Sequence, residues 1–585
     1  MRSFQKRGVL LTACAVTLLL AGAAWLYASG LRVVHPVTTV APGRHALGHA
    51  KRLVVFVPGT GGRVASYRLT MNQLLAEPKL VGSDLLLFDH KIVRLTPGHA
   101  DDFATRLRAE IDAQWIRAGG YDDIILAGGS LGSLLVRQAY LASAGADPRQ
   151  PRTVPWSDRV SRIVLMPGIG RGINIENEGR WKWVLRICRY IPLLRSSLIY
   201  EQLRGADFVT AVRIGWIRHF AAMYTNYDRD SSSLRPPTVV QLLGTEDDYV
   251  SRDDNIDFDQ FRNAFHIDVP GARHETVFRL EPGPDSLLRY ALFREAFTST
   301  APAHALAHRE SRDSVKRVIF LLHGIRSSRE DWVRTLAPVL RTRIPDAEVV
   351  ESSYGQISML GFALPNVRRR ERRWFQDQYT EYLARHPFAK LDVIAHSNGT
   401  YLLGQSLERI PVMRFDRLAL LASVLPADYE WRQRHALGQV QTVRSDRAAD
   451  DWIVALLANG LRGIGMLDVG TSGWLGFNDA GDFLLEPPSL PGGHVASLAP
   501  ANLAGVVDFI ATGRISAAEL RPSARPTMGL RWASGVAPWF TFSILVVSVM
   551  LLIKWVRNAT GVSRRSRASA IVVVMFVLAI LLDVL

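Results

Sequence analysis

Two short glycine- and serine-bearing turns constrain this chain most: Gly128-Gly129-Ser130-Leu131-Gly132 and Ala395-His396-Ser397-Asn398-Gly399, about 270 residues apart. Each follows an apolar run, Asp123-Ile124-Ile125-Leu126-Ala127 in the first case and Leu391-Asp392-Val393-Ile394-Ala395 in the second. Each then enters a helical pattern. A strand that turns sharply into a helix holds its serine hydroxyl at the turn, where it is presented outward. The separation is wide enough for a complete α/β domain around each turn, and a chain of 585 residues exceeds what one hydrophobic core supports.

Around the first serine, residues 50 to 300 alternate short apolar strands with helical patterns. The strands are Arg52–Val57, Asp84–Phe88, Asp123–Ala127, Arg162–Met166, Thr238–Leu243 and Phe265–Val269. Continuous apolar strands separated by helices predict a parallel sheet covered on both faces, with chemistry gathered at the carboxyl ends of the strands. Those ends carry Pro58-Gly59-Thr60-Gly61-Gly62, Ser130, Gly244-Thr245-Glu246-Asp247-Asp248 and Gly271-Ala272-Arg273-His274. The order Ser, Asp, His suits a nucleophile, a buried carboxylate and a general base. Ser130, Asp247 and His274 are the expected set, with Asp248 as the register alternative. The Thr60 and Leu131 N–H groups are the expected oxyanion donors. The glycine-rich turn lacks the Gly-Lys-Ser/Thr ending of a nucleotide loop. His266, inside a strand pattern, is expected in the core.

After a linker at Thr298 to Ser314 the pattern restarts over residues 315 to 515. Arg317–Leu322 leads into His323-Gly324-Ile325-Arg326, and Ser397 is followed by a strand at Val440–Ser445 and by Asp450-Asp451. Pro491-Gly492-Gly493-His494 precedes a final helix. Ser397, Asp451 and His494 are the expected second set, with Asp450 and Asp446 left open as the acid. Ile325 and Asn398 are the expected oxyanion donors.

These motifs resemble the α/β-hydrolase superfamily, esterase- and lipase-like: Val57-Pro58-Gly59-Thr60-Gly61, Gly128-Gly129-Ser130-Leu131-Gly132, Gly244-Thr245-Glu246-Asp247 and Gly271-Ala272-Arg273-His274 in the first region, and His323-Gly324-Ile325-Arg326 with the second serine turn in the other. Pro58 departs from the pattern, since many members carry histidine there, which bears on how the loop is held. The resemblance implies two tandem α/β-hydrolase domains, mostly parallel sheets covered by helices, acting as a serine esterase or lipase on acyl esters. It implies no metal and no organic cofactor, because the triad supplies nucleophile, base and oxyanion stabilisation. An acyltransferase or thioesterase would use the same constellation, and an α/β-hydrolase-like interaction module would keep the fold without turnover.

Two segments flank the proposed sites. An insertion at about 171–235 carries Trp181–Tyr190 and Val212–Phe220, where apolar residues recur at helical spacing with arginines on the other face. It suits a cap over an acyl pocket, a helix on a membrane, or a packed helix with a solvated arginine face. The cluster Arg368-Arg369-Arg370-Glu371-Arg372-Arg373 suits either anionic headgroups or solvent.

Three segments are apolar enough to cross a bilayer: Val9 to Tyr27, Val536 to Ile553 and Ala568 to Leu585. The first, within residues 1–30, is expected to be an uncleaved signal anchor. Arg2, Lys6 and Arg7 precede it, and Lys554, Arg557, Arg564, Arg565 and Arg567 fill the loop between the other two. The positive-inside rule puts both basic elements on the cytoplasmic side, so residues 30 to 535 are expected outside the inner membrane, in the periplasm of a Gram-negative cell. The membrane and an acyl-ester or lipid substrate are the expected partners. The net charge of +16 comes from arginine without the interleaved aromatics of a base-stacking surface, so nucleic acid is not an expected partner. With only Cys14 and Cys188, a cysteine-ligated metal cluster is excluded.

Overall fold

A computed structural model describes residues 35–43, 51–62, 64–175, 182–183, 185, 197–277, 286–308, 314–325, 332–351, 355, 359–479, 481–519 and 524–558. It contains two compact units, one of which includes the segment Gln376–Phe388.

The first unit is built on a seven-stranded sheet of order β1-β3-β2-β4-β5-β6-β7. Its strands are β1 (Val37–Ala41), β2 (Arg52–Val57), β3 (Asp84–Asp89), β4 (Asp123–Ser130), β5 (Val160–Gly168), β6 (Thr238–Gly244) and β7 (Ala264–Val269). All neighbouring pairs are parallel except β1 with β3. The central strands are buried along nearly their whole length because helices cover both faces, which is why they read as unbroken apolar runs. Those helices include α1 (Val64–Leu75), α2 (Ala100–Ala118), α3 (Leu131–Ser143), α4 (Asp207–Arg229) and α5 (Ser286–Thr298). One core layer joins Val54, Phe56, Leu85, Ile125, Val164, Val240 and Ile267 of the sheet to Tyr67 and Met71 of α1 and to Leu292, Phe293 and Phe297 of α5.

Within the insertion, α4 packs along α3, the helix that follows Ser130. Trp216 and Phe220 meet the Tyr140 ring of α3. The arginine face is not solvated. Arg213 is fully buried, donating to Thr380 Oγ1 at 3.1 Å and pairing with Glu381 at 3.4 Å, and Arg171 forms a two-bond fork with Asp377, both at 2.8 Å. Carboxylates from a segment distant in sequence neutralise it. Most of Trp181–Tyr190 lies outside the described residues.

The second unit has a six-stranded sheet of order β13-β12-β11-β10-β8-β9, parallel throughout. The strands are β8 (Arg317–Leu322), β9 (Ala347–Val350), β10 (Lys390–His396), β11 (Phe415–Leu421), β12 (Val440–Asp446) and β13 (Leu484–Leu485). Its helices include α6 (Trp332–Arg343), the part of α7 (Pro365–Arg385) up to Phe375, α8 (Asn398–Arg409), α9 (Ile453–Ile464) and α10 (Pro500–Thr512); from Gln376 onward α7 belongs to the first unit. Arg368 and Arg372 of the arginine cluster are buried. The Arg368 guanidinium donates to the Phe362 carbonyl at 3.1 Å and lies over the Tyr401 ring, so these two arginines face neither headgroups nor solvent.

A long helix, α11 (Met528–Asn558), contains the apolar run from Val536 to Ile553. Among the described residues it alone is long and apolar enough to cross a membrane; its Met528–Leu551 stretch has mean hydropathy 1.8 and is 6% buried. The two other expected spans, Val9 to Tyr27 and Ala568 to Leu585, lie outside the described residues.

Candidate active sites

In both units the serine sits where a strand passes directly into a helix. Ser130 has φ 48 and ψ −116, and Ser397 has φ 53 and ψ −118. A non-glycine residue at positive φ is strained, and such strain persists only where the surroundings enforce it. The close crossing has a visible requirement: a Cβ on Gly132 would run into the Val57 and Pro58 carbonyls, and one on Gly399 into the Leu322 carbonyl. Only glycine two residues after each serine lets the helix approach the neighbouring strand this closely.

The histidine and aspartate arrive from strands at the same offsets in both sheets. The carboxylate follows the second strand over from the serine strand, β6 or β12, and the histidine follows the next, β7 or β13. His274 Nε2 lies 2.9 Å from Ser130 Oγ, and its Nδ1 lies 3.0 and 3.1 Å from the two oxygens of Asp247. In the second unit His494 Nε2 is 2.9 Å from Ser397 Oγ, and its Nδ1 is 2.9 and 3.1 Å from Asp451. With the serine hydroxyl donating to Nε2 and Nδ1–H donating to the carboxylate, each set is a continuous relay.

Both carboxylates are fully buried, and both are held by backbone donors. Asp247 Oδ1 accepts the Tyr249 and Val250 N–H groups at 2.8 and 3.1 Å, and Asp451 Oδ1 accepts the Val454 N–H at 3.0 Å. The alternatives lie elsewhere. Asp248 and Asp450 are exposed, and Asp446 forks onto Arg444 at 2.8 and 3.2 Å. The loops that carry acid and base are stitched together by Glu246 N–H to the Ala272 carbonyl at 2.9 Å in the first unit and by Asp450 N–H to the Gly492 carbonyl at 3.0 Å in the second.

The candidate oxyanion loops abut the serines. A Cβ on Gly59 would lie 2.9 Å from Ser130 Cβ, and one on Gly324 would lie 3.0 Å from Ser397 Cβ. Thr60 follows Gly59, and its hydroxyl donates to Gln202 Oε1 at 3.2 Å. Ile325 follows Gly324 and packs on an apolar cluster containing Phe362, Tyr401 and Val454. Leu131 and Asn398 open the helices after the serines, where the first N–H groups have no partner within the helix.

Three residues that had no role of their own in the sequence reading support these parts. His90, at the end of β3, donates Nε2–H to the Pro58 carbonyl at 2.8 Å while its Nδ1 accepts the Ile92 N–H at 2.9 Å. It anchors the loop that Pro58 left unexplained. Burial pushes its pKa down to about 4, so it is neutral and keeps that tautomer. His396, just before Ser397, lies with Nε2 3.2 Å from the carbonyl of His494, and burial together with the neighbouring His494 pushes it down to about 3. Glu371 is buried beside Asn398, whose Nδ2 is 3.5 Å from its Oε2, and burial pushes its pKa up to about 7. Only the histidine before the elbow serine carried any sequence signal. His266 is buried against Phe258.

No protein-family model and no curated protein matches the chain. Among solved structures it is similar to a monoacylglycerol lipase from Paleococcus ferrophilus, at 15% identity over 46% of this chain and 100% of that one, with a TM-score of 0.26. It is also similar to a soluble variant of monoglyceride lipase from Saccharomyces cerevisiae, at 12% identity over 46% and 94% of the two chains, TM-score 0.30. The apo form of Thermogutta terrifontis esterase 2 matches at 15% identity over 46% and 90%, TM-score 0.30.

Proposed function

We propose that this chain is a membrane-anchored serine hydrolase that cleaves carboxylic esters, with hydrophobic acyl chains, at two separate sites in tandem α/β-hydrolase domains at residues 50–300 and 315–515. The observation that carries the proposal is the pair of relays, Ser130–His274–Asp247 and Ser397–His494–Asp451, each with a serine strained at positive φ and 2.9 Å from its histidine.

In the first site Ser130 Oγ attacks the ester carbonyl carbon as His274 Nε2 takes its proton. Asp247 stabilises the imidazolium. The new oxyanion is met by the N–H groups of Thr60 and Leu131. Collapse breaks the bond to the alcohol oxygen, which leaves with the proton from His274. A water deprotonated by His274 then attacks the acyl carbon, and collapse returns the proton to Ser130 and releases the acid. In the second site Ser397, His494 and Asp451 take the same roles, with Ile325 and Asn398 as donors.

The helix α11 supports anchoring to the inner membrane, and the basic residues Lys554 and Arg557 near its end assign that end to the cytoplasm, leaving both domains on the periplasmic side. The reading is tested by hydrolysis of short- and long-chain nitrophenyl esters and by fluorophosphonate labelling, using the parent, Ser130→Ala, Ser397→Ala and the double variant. Each single variant should lose one labelled serine. A double variant that hydrolyses esters as fast as the parent would refute the assignment.

A further inference from the structure

Large apolar side chains, Trp452 and Val495, are exposed beside the second site, next to an element that touches α11. Helix α9, twelve residues with Arg462 as its one charge, begins two residues after Asp451. It packs against the outer part of α11. Ser534 Oγ donates to the Ala455 carbonyl at 2.7 Å, and Asn459 Nδ2 donates to the Ser534 carbonyl at 2.9 Å. Further along, a Cβ on Gly460 would meet Thr541 Oγ1 at 2.9 Å, and one on Gly463 would collide with the Pro538 backbone. Glycines at such a crossing are the way two helices approach closely in a membrane.

This contact sets a depth. Pro538 and Thr541 lie inside the apolar run that starts at Val536, and five residues of helix rise only about 8 Å. Helix α9 therefore meets α11 where that helix enters the hydrocarbon. Trp532 and Trp539, 73% and 74% exposed, bracket the start of that run at Val536, as aromatic side chains do at a bilayer interface.

The exposed side chains next to the catalytic dyad extend the surface. Trp452 directly follows Asp451 and is 53% exposed; Val495 directly follows His494 and is 65% exposed. Their loops are joined by the Asp450 N–H to Gly492 bond. Leu457 and Leu467, at and just beyond α9, are exposed as well. Beneath them, one apolar cluster runs from Ile325 through Tyr401, Val454, Ala455 and Met466 to Leu530 of α11. Large apolar groups gathered this way mark an interaction surface, and continuity with α11 identifies its occupant.

We propose that α9 with Trp452 and Val495 is a bilayer-docking surface, so that the Ser397 site opens onto the leaflet entered by α11 and takes its acyl ester from the membrane. This rests on α11 being a membrane helix and on the hydrolase reading of Ser397. Asp451 couples the surface to the site, because its carboxylate accepts both the Val454 N–H of α9 and the His494 ring.

The test uses the full chain in phosphatidylcholine vesicles. In a Cys14→Ser, Cys188→Ser background, an environment-sensitive nitrobenzoxadiazole label is placed at Trp452→Cys, Val495→Cys or Leu437→Cys. Leu437 is exposed three residues before β12, at the strand end opposite Asp451. Labels at 452 and 495 should shift to the blue and be quenched by doxyl-labelled lipid, and the label at 437 should do neither. In parallel, the unmodified chain is photolysed with a diazirine phosphatidylcholine, with adducts expected within 452–467 and at 495. Labels at 452 and 495 as water-exposed as that at 437, or no adducts in those segments, would overturn the proposal. Neither readout needs turnover. A rim that contacts lipid in a Ser130→Ala protein whose remaining ester hydrolysis is insensitive to Ser397→Ala would refute the hydrolase reading of Ser397 and leave the docking surface standing.

Discussion

Asp247→Asn separates a catalytic relay from a merely well-packed histidine. The Asp247 carboxylate is fully buried, with one oxygen receiving two backbone N–H groups and both lying within 3.1 Å of His274 Nδ1. An asparagine fits the same space and keeps its Oδ1 on the Tyr249 and Val250 donors, so its amide N–H₂ is turned toward Nδ1. That nitrogen must then accept, the ring proton moves to Nε2, and Nε2–H faces Ser130 Oγ across 2.9 Å. The serine has lost its base. A wrong tautomer in such a relay costs about 10⁴ in rate, or about 5.5 kcal/mol of transition-state stabilisation. The loss in folding stability is far smaller, about 1–2 kcal/mol, because charge-assisted backbone bonds become neutral ones but none is left open. The measurement is kcat/KM on a nitrophenyl ester in a Ser397→Ala background, so that only the first site reports, with thermal unfolding alongside. A folded Asp247→Asn protein within about tenfold of its parent would refute the relay.

Gly59→Ala places a methyl 2.9 Å from Ser130 Cβ and 3.3 Å from the Gly129 carbonyl, so the loop must withdraw. Loss of one oxyanion donor predicts a fall of about 10² to 10³ in kcat at the first site, and Gly324→Ala predicts the same at the second, each read in a background with the other serine removed. His90→Phe strands the Pro58 carbonyl and the Ile92 N–H; kcat at the first site should fall about 10- to 100-fold with KM nearly constant, and an equal loss at both sites would refute a local role. For pH, His90, His219 and His266 of the first unit are each depressed by burial to about 4. Their folded pKa values lie below the unfolded value near 6.5, so the unfolded chain binds protons that the native unit refuses, and stability is lost as pH falls from about 6.5 toward 4. Each contributes a loss of about 2 kcal/mol by pH 5, opposed in part by Asp257, whose carboxyl is raised by burial. Protection factors of the β6 and β7 amides should fall between pH 7 and 5, and a flat protection factor would contradict it.

The strands that could be read from sequence are β2 to β8, β10 and β12, most of them apolar runs whose side chains are buried along nearly their whole length. β1 escapes that logic. It is an edge strand with alternating half-exposure, paired antiparallel to β3. β11 carries Asp416 and Arg417 as its second and third residues, and these charges are satisfied by Arg317 and the Ile510 carbonyl, partners far away in sequence. β13 is two residues long and holds no pattern. The serines, histidines and one aspartate of each candidate site were legible because they occupy strand ends in a fixed order. His90 and Glu371 were not, since each acts through a single tertiary contact. The arginine faces of α4 and α7 misled for the same reason: Arg213 and Arg368 look like surface residues until the carboxylate and the carbonyl that meet them are placed.

The two sites meet one geometric demand with different histidines. Where the first unit has Gly129 before its serine, the second has His396, whose Nε2–H donates to the backbone of His494, the proposed general base. The first unit instead spends a buried histidine, His90, on the oxyanion loop. If the His396 bond positions the His494 loop, its loss should misalign the base without touching substrate binding. His396→Gln retains an N–H donor of similar reach, and His396→Phe keeps the ring and its packing near Trp332 but not the donor. One neutral hydrogen bond contributes about 1–1.5 kcal/mol, so in a Ser130→Ala background His396→Phe should lower kcat about tenfold at unchanged KM, with His396→Gln near the parent. Because His396 stays neutral down to about pH 3, neither substitution should displace the pH profile of the remaining activity above that value. A loss in His396→Gln with His396→Phe near the parent would mean that the imidazole acts by shape and not by its donated proton, and a displaced pH profile would mean that it exchanges protons with the relay.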